Sequence, residues 1–222
     1  MTYQDPHATT PLVQRGSSVA NAKGAVVLVH GRGASAQSML PLADALAQPE
    51  WLYVAPQAAG HTWYPYSFLA PMAENEPGLS SGLQRVSTVI DDLIADGLAP
   101  ERIVLLGFSQ GACLALEAAA RRGERLGGVI AFSGGLIGPP GTPREYDADL
   151  QGTPVFLGCS DVDAHIPLGR VHESADVFER LGADVTKRVY RGMGHTINAD
   201  ELAFARGLLA KLGADEAINA QT

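Results

Sequence analysis

A chain of 222 residues, 46% hydrophobic and 18% charged, is long enough for one domain around a large core and too short for two ordinary domains and a linker. Its apolar runs have the length of strands and fall far short of a membrane span. The formal net charge of −8 argues against nucleic acid as a partner, because neutralising phosphates needs clustered Lys and Arg.

In chain order, residues 1–20 hold no basic region followed by an apolar one, so no secretory signal is read and a cytoplasmic location is expected. This segment is expected to be poorly ordered or peripheral. Ala25–Val29 reads as the first strand, followed by "HGRGAS", and Leu52–Val54 as the second. Residues 56–80 form a connection too long for wiring, with four prolines and Trp63, Tyr64, Tyr66 and Phe68. So many aromatics predict a packed, functional loop. A helix then follows, with Ser81 and Gln84 as a capping box, Leu83, Val86, Ile90 and Leu93 as its apolar stripe, and Gly97 as its stop.

Ile103–Leu106 is a further strand, running directly into "GFSQG" and then a helix of small and apolar residues from Gln110 to Ala120. Val129–Phe132 and Val155–Leu157 continue the pattern. Pro167 suits the first turn of the next helix, whose stripe is Val171, Ala175, Phe178 and Leu181, with Gly182 after it. Val185–Tyr190 alternates where the other runs are continuous, as a strand near a sheet edge does. The last helix opens on Asn198 and Glu201, an Asn-x-x-Glu cap, with Ile197 and Leu202 spaced for a hydrophobic staple. Strands alternating with helices predict an α/β class protein with a mostly parallel sheet, whose ligand site lies in the loops at its carboxyl edge.

The loops carry the chemistry. Gly107-Phe108-Ser109-Gln110-Gly111 sits between a strand and a helix, the setting of a nucleophile elbow. The alternative is that Ser109 only caps the helix. A serine hydroxyl needs a base, and the base needs an orienting acid. His195, in the loop after the last strand, stands where that base belongs, whereas His172 falls on a helical face. For the acid, "CSDVDAHIP" offers Asp161 and Asp163. Asp161, Asp163 and His165 also invite a metal reading, although no further ligand pair completes a shell. His30-Gly31-Arg32-Gly33 suits an oxyanion loop better than a phosphate loop, since it lacks both Gly-x-Gly-x-x-Gly spacing and a Walker lysine. Cys113 and Cys159 have no C-x-x-C spacing and read as buried free thiols of a reducing compartment.

Together "HGRGAS", "GFSQGACLAL", "AFSGGL", "DAHIP" and "GMGH", in this order from about residue 25 to 212, resemble the phospholipase/carboxylesterase family of α/β hydrolases, which includes acyl-protein thioesterases. The resemblance implies an α/β-hydrolase fold without a large lid, with residues 1–222 as one domain. It implies Ser109 as nucleophile, His195 as base, Asp163, four residues before Pro167, as the acid, and the backbone N–H groups of Arg32 and Gln110 as the oxyanion hole. No cofactor or metal is called for. The implied activity is that of a serine carboxylesterase acting on a small-molecule ester, with thioesters or lysophospholipids as close alternatives and a non-catalytic ligand-binding relative as the alternative of another class. Trp63 and Tyr64 are expected to contact the substrate. The sequence leaves a homodimer open and calls for no integral membrane contact. Arg32 stands where the family usually carries Leu, so a cation is expected at the site mouth, favouring anionic or polar esters. Trp63-Tyr64-Pro65 and Ala164 also depart from the family's Trp-Phe-Asp and Pro.

Overall fold

The continuous apolar runs become the interior strands of one seven-stranded sheet. The structure is a computed structural model that describes residues 5–219. Along the chain the elements are β1 (Leu12–Gly16), β2 (Ala25–Val29), α1 (Leu40–Leu46), β3 (Leu52–Pro56), α2 (Gly78–Ala95), β4 (Ile103–Phe108), α3 (Gln110–Arg122), β5 (Gly128–Phe132), β6 (Pro154–Ser160), α4 (Leu168–Arg180), β7 (Asp184–Tyr190) and α5 (Ala199–Asn219). The strand order is β1-β3-β2-β4-β5-β6-β7. Only β1 runs antiparallel, against β3, so this is the mostly parallel sheet that the sequence predicts.

Alternate residues of each interior strand feed two cores. Val27, Val29, Leu105, Val129, Ala131 and Leu157 join residues of α2, α3 and α4 on one face. Val26, Leu28, Val104, Leu106, Ile130 and Phe156 join residues of α1 and α5 on the other. Burial on both sides is why these strands read as unbroken apolar runs. Each fully buried Val, Leu or Ile contributes roughly 1.5–3 kcal/mol, so the centre of the sheet is the most strongly determined part of the fold. β7, paired on one side only, keeps polar residues at alternate positions.

Three differences from the sequence reading have local causes. β1 is an edge strand whose residues are almost all exposed; its backbone pairing to β3 leaves no apolar pattern to read. The segment before residue 20 is peripheral in that sense, but its described part, from residue 5 on, is tied to the body. The buried His7 ring accepts the Ala59 N–H at 2.9 Å and donates to the Trp63 carbonyl at 3.0 Å. Residues 1–4 lie outside the described residues. Finally, α2 begins at Gly78, so Ser81 does not cap it. Ser81 is buried in the first turn, where its hydroxyl accepts the His7 N–H at 2.9 Å and donates to Asp5.

The long connection is packed as expected. Trp63, Tyr64 and Phe68 are buried, and Tyr66 is exposed. The buried Asn75 side chain staples its tip, accepting the Tyr66 N–H at 2.8 Å and donating to the Ser67 carbonyl at 2.9 Å. Among the described residues no helix is long and apolar enough to cross a membrane.

Candidate active site

The elbow is built from the residues around it. Ser109 has φ 57° and ψ −121°, a conformation that L-residues adopt only under constraint, at a cost of order 1–3 kcal/mol. A Cβ on Gly107 would lie 2.3 Å from the Gly111 carbonyl oxygen, and one on Gly111 would lie 2.0 Å from the Val29 carbonyl oxygen. The two glycines therefore let β4, α3 and β2 meet at backbone contact. Ser109 precedes α3 but makes no side-chain cap bond to it, which removes the helix-cap alternative. Its Oγ lies 2.8 Å from His195 Nε2 instead.

His195 Nδ1 lies 2.7 Å from Asp163 Oδ2. A carboxylate only accepts, so Nδ1 carries the proton and Nε2 accepts from Ser109. Asp163 Oδ1 takes the N–H groups of His165 at 2.8 Å and Ile166 at 3.0 Å. Burial opposes the Asp163 charge, but the bonds from His195 and these two N–H groups outweigh it and hold the carboxyl below the usual carboxylate range. Asp161 turns elsewhere and accepts the Gly192 N–H at 2.8 Å. Among the described residues no three His, Cys, Asp or Glu side chains are grouped to hold a metal.

The loop bearing His195 is positioned by side chains. Asp161 holds Gly192, and Ser160 Oγ accepts the Gly194 N–H at 3.0 Å. Beyond His195 the cap is reciprocal. Asn198 Oδ1 accepts the Glu201 N–H at 2.9 Å, and Glu201 Oε2 accepts the Asn198 N–H at 2.8 Å. Glu201 is fully buried, and its Oε1 has no partner among the described residues. Burial pushes its carboxyl up to about 7, against the bond from Asn198.

Across the cleft, the Gly31–Arg32 peptide and the first residue of α3 present the other half of the site. Among the described residues neither the Arg32 nor the Gln110 backbone N–H has a hydrogen-bond partner. The orientation of the Gly31–Arg32 peptide is set by His30. Its Nε2 accepts the Ala58 N–H at 3.0 Å, so Nδ1 carries the proton that reaches the Gly31 carbonyl at 2.8 Å. Because the peptide is planar and trans, fixing its C=O also fixes the Arg32 N–H. Burial lowers the His30 pKa and favours this neutral state. Nothing in the spacing of "HGRG" singles out that role.

The cavity at Ser109 has a volume of about 630 Å³, within the range of small-molecule sites. Tyr64 lines it, but Trp63 does not. Trp63 is fully buried; an indole N–H buried there needs an acceptor, and it finds the His30 carbonyl at 2.9 Å, which holds the ring behind the wall. Expected substrate contact by Trp63 is thus corrected to support of the loop that carries Gly31 and Arg32. Arg32 lines the cavity, as expected of a cation at the mouth, and it is held there: its guanidinium donates to Thr62 Oγ1 at 3.0 Å, to the Pro65 carbonyl at 2.8 Å and to the Tyr66 carbonyl. It thereby braces the aromatic loop as well. The Gln110 side chain clasps the same loop, accepting the Trp63 N–H at 3.0 Å and donating to the Tyr64 carbonyl at 2.8 Å. Cys113 also lines the cavity, but burial pushes its thiol up to about 12, so it stays protonated.

Comparison with known proteins points the same way. The family model described as Phospholipase/Carboxylesterase matches residues 11–212. The crystal structure of a phospholipase/carboxylesterase from Dyadobacter fermentans superposes with a TM-score of 0.89 at 40% identity, covering 94% of this chain and 100% of that one. Acyl-protein thioesterase 1 of Kluyveromyces lactis is 30% identical over 215 residues, 86% of this chain and 92% of that protein. A probable carboxylesterase of Oryza sativa is 26% identical over 204 residues, covering 84% of this chain and 76% of that protein.

Proposed function

Because the chain belongs to the phospholipase/carboxylesterase family, we propose that it is a serine carboxylesterase cleaving short- to medium-chain carboxylic esters through an acyl-enzyme. Ser109 Oγ attacks the ester carbonyl while His195 Nε2 takes its proton. Asp163 keeps the imidazole in the required tautomer and stabilises the imidazolium that forms. The tetrahedral oxyanion accepts from the Arg32 and Gln110 N–H groups at the positive end of α3, and each such donor is typically worth roughly a hundred- to a thousandfold in turnover. The imidazolium then protonates the departing alcohol, and water, activated by His195, releases the acid.

The observation that carries this reading is the unbroken chain from Ser109 Oγ to His195, 2.8 Å, and from His195 to Asp163, 2.7 Å, starting from a strained elbow. The open cavity of about 630 Å³ and the absence of a lid among the described elements support small acyl groups. Acyl thioesters are the second reading, favoured by the likeness to acyl-protein thioesterase 1, since the same groups cleave both bonds. The test is hydrolysis of a nitrophenyl ester chain-length series and of acyl thioesters by the wild type beside Ser109→Ala. Esters of short and medium chains are expected to be cleaved best and the variant to be inactive; a peak at long acyl chains, or full activity of the variant, contradicts the proposal.

A further inference from the structure

One imidazole in the cavity has no part in the mechanism above. His165 is exposed, lines the same cavity as Ser109, and its ring centre lies 4.7 Å from that of His195. Its backbone is not free to drift, because the N–H groups of His165 and Ile166 are both bonded to Asp163 Oδ1, at 2.8 and 3.0 Å. Among the described residues neither ring nitrogen has a hydrogen-bond partner. The position selects one side of the substrate. His195 hands its proton to the leaving oxygen, so the alcohol portion departs past His195, and the side chain packed beside that ring meets the alcohol portion rather than the acyl chain.

The absence of acidic side chains from the lining selects the chemistry. The chain carries 24 acidic residues against 16 Lys and Arg, yet the cavity is lined by one cation, Arg32, by the two imidazoles of His165 and His195, and by no Asp or Glu. Asp163 lies behind His195 with no exposed side-chain surface and both oxygens engaged. Asp161 faces Gly192. Arg32 supplies positive potential, but three of its five N–H donors are committed to the loop at residues 62–66, whereas His165 keeps a ring N–H to donate in either tautomer. We infer that His165 is a specificity-determining residue that hydrogen-bonds an anionic group on the alcohol portion, so that the preferred substrates are esters whose leaving group carries a carboxylate. The inference rests on the serine esterase reading and adds the substrate class to it.

The matched probes are 3-butyryloxybenzoate and its methyl ester, followed by release of the phenol. They share the acyl group and the scissile bond and differ in one charge. A hydrogen bond to a charged group implies a wild-type preference in kcat/KM of about tenfold or more for the carboxylate. His165→Ala removes most of that preference, leaving only the weaker effect of Arg32, with an unchanged melting transition, because the residue is exposed. His165→Gln, which keeps an N–H donor, retains a preference of severalfold. A wild type that cleaves both probes equally, or a His165→Ala variant that keeps the full ratio, overturns this inference alone. A wild type that cleaves neither probe and is not labelled at Ser109 overturns the esterase reading, and the inference with it.

Discussion

The middle of the sheet and its β7 edge hold the two halves of the site in opposite ways. Ser109 rises from β4, the strand paired with β2 and β5 and buried on both faces, and its position depends on two glycines whose missing side chains let backbones touch. His195 follows β7, the half-exposed edge strand, and its loop is tied by polar side chains: Asp161, Ser160, Asn198 and Glu201. One half is thus encoded by atoms that must be absent, the other by atoms that must be present. The centre should accordingly fail as a fold, and the edge as chemistry.

The largest effect expected is at the edge. Asp163→Asn presents the wrong partner to His195 Nδ1 and should lower kcat about ten-thousandfold while the chain stays folded. Asp161→Asn keeps a carbonyl for the Gly192 N–H and should cost less than about tenfold; the reverse ranking in steady-state kinetics would move the acid to Asp161. At the centre, Gly111→Ala forces a Cβ to within 2.0 Å of the Val29 carbonyl oxygen and should destabilise the fold by about 3 kcal/mol or more in urea unfolding. A variant with wild-type stability would break the comparison.

Glu201 sharpens the contrast through pH. Its carboxyl is raised from 4.5 to about 7 by burial, so between these values the folded chain holds a proton that the unfolded chain has lost. That contribution to stability is full below about pH 4.5, falls as pH rises through 7 and is then spent. A shift of this size corresponds to at most ~3 kcal/mol. Glu201→Gln can still cap Asn198 and should be the more stable protein at pH 8, with the difference shrinking toward pH 5; parallel wild-type and variant curves across this range would refute the account. The smallest effect is expected for Ser160→Ala, which frees the Gly194 N–H and should cost about 1 kcal/mol of stability, with kcat falling more than KM rises.

What was legible in the sequence follows the same division. The interior strands were readable because burial on both faces writes itself as unbroken apolar runs, and the elbow because its glycines lie at fixed spacing from Ser109. The edge strand β1 was not, since backbone pairing fixes it and "LVQRG" carries no apolar signature. Asp161 and Asp163 were not separated by their residue types, and only the resemblance favoured Asp163; the segment is a turn, in which Asp163 faces His195 and Asp161 faces Gly192. His30, Gln110 and Arg32 brace neighbouring loops through bonds to residues up to about 48 positions away, a kind of contact that leaves no mark on local spacing. Ser81 looked like a cap because its spacing to Gln84 is right, but α2 starts three residues earlier and the hydroxyl serves the His7 segment.

Labelling of the folded protein with a fluorophosphonate, read by peptide mass spectrometry, asks whether Ser109 is the activated nucleophile and whether its activation runs through His195 and Asp163. The adduct is expected on Ser109 alone, absent in Ser109→Ala and formed far more slowly in Asp163→Asn. Labelling of Cys113 or another residue in place of Ser109, or an unchanged rate in Asp163→Asn, would mean that Ser109 is not activated through His195 and Asp163.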